Sequence, residues 1–140
     1  MQPLIDALTL GHVSEVKVVL ASALAAAALW QAGLMAVGWG VVRLPFLAQR
    51  PASKAHRALG DAIVVVTLVT AALCVGYFGF EAERFDAHVP VALALIAVLA
   101  FKVAVVRWWS RLSFLLPALG ITVLLLFVAA WATAAAPYLG

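Results

Sequence analysis

Charged residues are scarce in this sequence, and the few that occur leave long stretches of the chain uncharged. Lysine and arginine contribute 9 residues and aspartate and glutamate 6, so that 11% of the 140 residues are charged and 67% are hydrophobic. A soluble domain carries about 25% charged and about 45–50% apolar residues. A water-soluble fold of this length has no place for so much apolar surface. The sequence therefore predicts an integral membrane protein.

The chain also has few residues of the kinds that build catalytic centres. Its single cysteine, Cys74, excludes an internal disulfide and a cysteine-rich zinc site, and only three histidines are present. The glycines of Gly38-Trp39-Gly40 lack the preceding strand and the lysine of a phosphate-binding loop. We therefore predict no independent catalytic motif and, at most, an electron-transfer role.

Uncharged stretches suited to crossing a bilayer dominate what is present. They cover residues 18–42, 62–80, 87–101 and 112–140. A spanning helix needs about 20 apolar residues, and the third stretch reaches that length once Lys102 is counted within its last turns. We predict an all-α integral membrane four-helix bundle, residues 1–140 forming one domain, with helices at about 13–43, 52–80, 87–107 and 111–136.

Glycine and proline mark where these helices should begin, end or bend. Gly11 predicts a break before the first helix, Pro51 suits the start of the second, and Pro117 with Gly120 could kink the fourth. The N-terminus has no basic opening, and Asp6 and Glu15 interrupt it. These features predict that the first span is retained in the mature protein and is not a cleaved signal peptide.

Basic residues collect on one side of the predicted bundle. That side holds Arg43, Arg50, Lys54, Arg57, Lys102, Arg107 and Arg111, whereas the other side holds only Lys17 and Arg84 among acidic residues. The positive-inside rule places the first side in the cytoplasm. We predict a multi-pass protein of the bacterial inner membrane with both termini on the periplasmic side. The basic excess is then a topology signal, and no nucleic acid partner is predicted.

Ionisable residues inside membrane spans are costly and therefore point to function. His12 and His88 open the first and third helices, which enter from the same side, so the two rings are predicted to lie at one end of the bundle. If those helices are neighbours, one haem iron could be held between the two imidazoles. Each histidine could equally be a structural residue at a helix mouth.

His56 opens the second helix from the opposite side, roughly 25–30 Å away across the bilayer. There it could be a polar residue at the membrane interface or a second ligand-holding residue, with Gly60 clearing space beside its ring.

Two further charged residues lie within or beside the spans. Lys102 could extend to the lipid headgroups or face the bundle and meet an anion, such as a haem propionate, Asp61 or a lipid phosphate. Asp61 lies four residues after Arg57, a spacing that predicts an ion pair on one helix face.

Several of these motifs together resemble a known kind of protein. "HRALG" opens one helix, a histidine opens the next, "KVAVVRW" closes it, and "LPALG" and "WATAAAPYL" follow in the last. Over residues of about 50–138 the chain resembles small bacterial four-helix membrane proteins of the b-type cytochrome kind. That resemblance implies haem b with histidine ligands at helix mouths. Relatives of this pattern carry a further histidine late in the second helix, where this chain has Leu73. Its absence either removes the haem or leaves the second ligand to His12 or to another subunit.

Two hypotheses of function follow. The first is a b-type cytochrome subunit that transfers electrons through haem b near the outer face, with His88, His12, His56 and Lys102 as candidate cofactor-binding residues. Its partners would be the lipid bilayer, other membrane subunits of a redox complex and, as a candidate, a membrane quinone. The alternative is a cofactor-free accessory subunit of a larger respiratory or photosynthetic complex. A transporter is less favoured, since the centres of the spans are almost wholly apolar.

Overall fold

The computed structural model describes residue 7, residues 9–78 and residues 87–134. Within these residues the chain forms α1 (Val13–Gly38), α2 (Gln49–Phe78), α3 (His88–Arg107), a 3₁₀ helix (Ser110–Leu115) and α4 (Leu116–Ala134). No strand occurs in the described ranges, where Leu44 and Leu47 form only an isolated bridge. The predicted all-α architecture of four long helices is confirmed.

All four helices are long and apolar enough to cross a membrane. The candidate spans are Glu15–Gly38, Gln49–Gly76, His88–Arg107 and Ser110–Ala134. Large apolar side chains such as Leu29, Val65 and Leu125 lie more than half exposed on the outer faces. A multi-pass membrane protein that contacts lipid with these faces accounts for both observations.

The first helix ends earlier than predicted. It stops at Gly38 rather than near residue 43, although the following valines would suit a longer span. Gly40 has a φ angle of +74°, which ends the helical path, and Val41 N–H bonds instead to the Ala36 carbonyl at 2.9 Å. The left-handed backbone is accessible to glycine at little cost, so this residue ends the helix.

Glycine and proline mark two other helix boundaries as predicted. Gly11, with a φ of +79°, separates α1 from what precedes it. Pro51 lies in the first turn of α2, which begins at Gln49 rather than 52. Pro117, named with Gly120 as a residue that could kink the fourth helix, lies in the first turn of α4, where a missing N–H costs no helical bond. The preceding part of the fourth span, predicted to begin near 111, is the 3₁₀ helix.

The predicted helix ends at 79–80 and 135–136 lie outside the described residues.

The helices pack in the order α2, α1, α4, α3, so that α1 contacts α2 and α4, and α4 contacts α1 and α3. The main apolar core joins all four helices and consists of Leu24, Ala28, Ile63, Leu95, Leu99, Val123 and Phe127. A second cluster, Leu34, Val37 and Ala52, joins α1 to α2 near the α1 C-terminus. Small residues let these two helices approach closely: a β-carbon on Gly38 would lie 2.9 Å from Ser53 Oγ.

Candidate functional site

Three polar side chains replace apolar ones between the main core and the α1 C-terminal end of the bundle. Gln31 lies three residues after buried Ala28 and three before buried Leu34, so it continues the inward stripe of α1. Lys102 occupies the matching place on α3, between buried Leu99 and Val105.

On α2, His56 follows buried Ala52 by four residues and precedes buried Ile63 by seven, which is the same helix face. We name Gln31, His56 and Lys102 the inner polar layer.

His56 is held by the backbone of the neighbouring helix. Its Nδ1 lies 3.1 Å from the carbonyl oxygen of Gln31. A carbonyl can only accept, so Nδ1–H is the donor and, in the neutral ring, the lone pair is at Nε2. His56 is therefore an oriented, partly buried imidazole.

The space beside Gly60 is occupied by an amide rather than left open beside the His56 ring. A β-carbon on Gly60 would lie 2.9 Å from Gln31 Nε2. The other end of the same amide, Gln31 Oε1, is buried and has no hydrogen-bond partner within the described part of the chain. A buried acceptor without a donor costs about 1–3 kcal/mol, so the layer holds an unmet requirement for a hydrogen-bond donor.

Lys102 faces the bundle, the second of the two predicted alternatives. It is partly buried on the inward stripe of α3, between buried Leu99 and Val105. Within residues 9–78 and 87–134 it forms no hydrogen bond or ion pair. The inner polar layer thus combines a cationic donor without an anion and an amide oxygen without a donor.

The opposite end of the bundle contains His88, held by a side chain of α4. Its Nδ1 lies 3.1 Å from Thr133 Oγ1. The Thr133 hydroxyl lies within hydrogen-bond distance of the carbonyls of Ala129 and Ala130, at 2.9 and 3.1 Å, and donates its one hydrogen there. Thr133 therefore accepts from His88, and the lone pair of the neutral ring is again at Nε2.

His12, the residue before α1, is exposed and pairs locally. Its Nδ1 lies 3.2 Å from Glu15 Oε1, with 64% and 77% of the two side chains exposed. The α1 and α3 helices share α4 as a neighbour: Trp131 Nε1–H donates to Ser22 Oγ of α1 at 3.0 Å, two residues from Thr133. A haem held between His12 and His88 remains a prediction.

Asp61 pairs with a different arginine from the one predicted. Arg107 Nη2 donates to Asp61 Oδ1 at 3.2 Å, joining α3 to α2, so the predicted pairing with Arg57 in the same helix is wrong. An arginine side chain from the end of α3 reaches the carboxylate across the gap between the helices. This ion pair is outward-facing, with 72% of the Asp61 side chain and 58% of the Arg107 side chain exposed.

Sequence reasoning missed Gln31 and Thr133. Gln31 carried a usable signal, because an amide three residues from Ala28 and from Leu34 falls on the apolar stripe of a helix. Thr133 carried none, since threonines occur throughout membrane helices and only the α3–α4 register makes this one the partner of His88.

The fold and these polar groups define a four-helix, multi-pass membrane protein with oriented histidines near both ends of the bundle. Residues 2–140 match a family described as "Family of unknown function (DUF6529)", and the chain belongs to that family. No curated protein and no solved structure matches the chain.

Proposed function

We propose that the protein is a b-type cytochrome subunit of a bacterial membrane redox complex, in which His88 is an axial ligand of haem b. The observation that carries this proposal is the orientation of the three histidines. In each of His12, His56 and His88, Nδ1 lies within hydrogen-bond distance of an oxygen atom: a carboxylate, a carbonyl and a hydroxyl oxygen, respectively.

Such a bond is typical of metal-binding histidines, because it fixes the ring and leaves Nε2 to carry the lone pair. Among the three, His88 combines this tautomer with partial burial between two helices. His12 supplies the second ligand or, because its ring lies exposed beside Glu15, leaves that place to a residue of a partner subunit. His56 would hold a second haem only with a further ligand on its own side of the membrane.

Haem b, when bound, supplies one-electron transfer; the chain supplies ligand orientation and an apolar surrounding. The electron partners we propose are a membrane quinone and another subunit of the complex. The excess of basic residues at the end of the bundle that holds the α1–α2 loop and the α3–α4 turn supports an inner-membrane orientation with both termini in the periplasm. A reporter fused after Gly140 should then be active only in the periplasm.

The test of the haem is a reduced-minus-oxidised absorption spectrum of the protein purified from its own host membranes. We expect a Soret band that the His88→Ala variant lacks. His12→Ala should abolish the low-spin spectrum or convert it to high-spin, since two imidazoles leave no open axial position. His56→Ala is the matched control, because it removes an equally oriented histidine from the other end of the bundle.

Each outcome of this comparison bears on the proposal. A normal spectrum in His12→Ala with none in His88→Ala assigns the second ligand to a partner subunit. A colourless wild-type protein, extracted with its complex intact, contradicts the haem proposal. So does a spectrum that responds only to His56→Ala.

A second candidate, the cofactor-free accessory subunit, is favoured by the Asp61–Arg107 ion pair. Asp61 lies twelve residues after Gln49, about 18 Å along α2. The 30 residues of α2 span about 45 Å, which exceeds the hydrocarbon layer by about 15 Å. Even if the whole excess projects at this end, Asp61 lies within the hydrocarbon. An exposed carboxylate is costly there, so a polar helix of another subunit is expected to cover the pair.

Native electrophoresis of membranes solubilised in mild detergent tests this candidate. The double substitution Asp61→Leu with Arg107→Leu should release the chain from a larger assembly, whereas Thr122→Leu, exposed on α4, should not. Identical migration of the wild type and the double variant argues against a partner at this face. An assembly whose mass is a multiple of this chain alone identifies the partner as a second copy.

A further inference from the structure

We infer that the inner polar layer, Gln31, His56 and Lys102, binds the head group of a lipid-soluble quinone or quinol. The inference deepens the proposed function and rests on it in one respect, namely that a redox subunit needs such a substrate. The binding itself requires no haem, so it can be tested separately.

The first step is the depth of the layer. The 20 residues of α3 measure about 30 Å, which matches the hydrocarbon layer. Lys102 lies five residues before the last residue of α3, hence about 8 Å inside that layer. A molecule that reaches this lysine from the membrane must therefore be soluble in lipid.

The second step is the side from which the layer can be reached. The closely packed pairs in the described residues are α1 with α2, α1 with α4, and α3 with α4. The α2 and α3 helices are joined there by the long side chain of Arg107 bonded to Asp61. His56 lies on α2 and Lys102 lies on α3. The inner polar layer therefore lies behind the gap between these two helices, which are not among the closely packed pairs.

The third step is the set of hydrogen-bonding groups. Lys102 offers N–H donors to an acceptor oxygen, and Gln31 Oε1 needs a donor. The Nε2 atom of neutral His56 is a second acceptor, because Nδ1–H is committed to the Gln31 carbonyl.

A phosphate offers acceptors alone and would leave Gln31 Oε1 unsatisfied. A quinone carbonyl accepts from Lys102, and the hydroxyl of the quinol donates to Gln31 or His56. Among lipid-soluble molecules, the quinone and quinol pair supplies both kinds of group on one ring.

The experiment measures saturable binding of menadione, and of menadiol kept reduced, to the purified full-length protein in detergent micelles. Quenching of tryptophan fluorescence provides the signal, since Trp30 adjoins Gln31 in α1. Lys102→Met should weaken menadione binding at least about tenfold, as expected for loss of a charged donor. Lys102→Arg should keep most of the affinity. Gln31→Leu should weaken menadiol binding more than menadione binding, because only the quinol donates to Oε1.

Lys54→Met is the matched control. It removes the same charge from an exposed position in the second turn of α2 and should leave both affinities unchanged. The dimethyl ether of menadiol, which has no hydroxyl donor, should bind without dependence on Gln31. Circular dichroism of each variant checks that the helices remain folded.

Three results would overturn the inference: no saturable binding by wild-type protein, equal affinities in Lys102→Met and Lys54→Met, or complete displacement of menadione by phosphatidylglycerol, which would assign the layer to a lipid phosphate. The same titration on His88→Ala separates this inference from the haem proposal. Menadione should bind that variant normally, because His88 lies at the far end of the bundle. Loss of the Soret band with retained quinone binding therefore bears only on the haem.

Discussion

The two ends of the bundle hold a histidine by different means. His56 donates to a backbone carbonyl, that of Gln31, whereas His88 donates to a side-chain hydroxyl, that of Thr133. A backbone acceptor persists whatever residue occupies position 31. The His88 contact exists only while position 133 is a hydroxyl-bearing residue. Substituting the partner residue can therefore remove the hydrogen bond that orients His88, whereas substituting Gln31 leaves the backbone acceptor of His56 in place.

The ends differ as well in how fully their polar groups are paired. Near His88, Thr133 uses both its hydrogen and its lone pair. In the inner polar layer, Gln31 Oε1 has no partner in the described ranges, and Lys102 brings a charge without an anion. Polar groups left unpaired at this depth lower stability, and their presence is explained if a ligand pairs with them.

The largest expected effect comes from filling the space beside Gln31. Gly60→Leu should lower the free energy of unfolding by about 1–3 kcal/mol, because its side chain must displace the buried amide. Unfolding in a titration of dodecyl sulfate against a mild detergent measures it. The double variant Gln31→Ala with Gly60→Leu should recover part of the loss.

Gly120→Ala is the matched control for that change. A β-carbon on Gly120 meets no atom within 4 Å, so the variant should be unchanged or more stable by up to about 1 kcal/mol. Equal losses at the two glycines would show that the effect is a general property of glycine in these helices and not contact with Gln31.

The next effect in size is a gain in stability. Lys102→Met should raise the free energy of unfolding of the ligand-free protein by about 1–2 kcal/mol, since it removes an unpaired charge from within the hydrocarbon layer. The exposed Lys54→Met should change it little, and the same titration compares them. A destabilised Lys102→Met variant would mean that the lysine has a pairing group in the folded protein. The polar groups of the inner polar layer would then be paired, like those near His88.

The smallest effect sharpens the contrast at the His88 end. Thr133→Val should cost about 0.6 kcal/mol, a typical value for one hydrogen bond between membrane helices. Thr122→Val is the control, because Thr122 bonds to the Ala118 carbonyl at 3.0 Å in the same way but has no second helix to contact. If haem is bound, only Thr133→Val should also shift its midpoint potential. An equal loss of stability in the two variants would show that the bond between Thr133 and His88 adds nothing measurable to the stability of the bundle.

The four helices could be predicted from the sequence because the length of an apolar run is a local property. The α1 end could not be placed, since Val41 and Val42 continue the apolar run and only the positive φ of Gly40 ends the helix.

The candidate site could be predicted only in part, because residue types are visible in the sequence and contacts between helices are not. Histidine and lysine inside spans are visible in the sequence, but their partners are set by the register between helices. The carbonyl that holds His56 lies 25 positions away, and the hydroxyl that holds His88 lies 45 away. The pairing of Asp61 with Arg107, 46 positions away, replaced the local one for the same reason.

The unequal lengths of α2 and α3 have a consequence for how the protein sits in its membrane. With about 15 Å more helix than the hydrocarbon can cover, α2 extends beyond the hydrocarbon by nearly three turns in total, counted over its two ends. Arg50 and Lys54 lie in its first two turns and are exposed. Each such cation near an anionic leaflet contributes about 1 kcal/mol of attraction. With these cations in the headgroup layer, the first turns of α2 would resist tilting and sinking of the bundle, and we expect the protein to be held more firmly in membranes rich in anionic lipid.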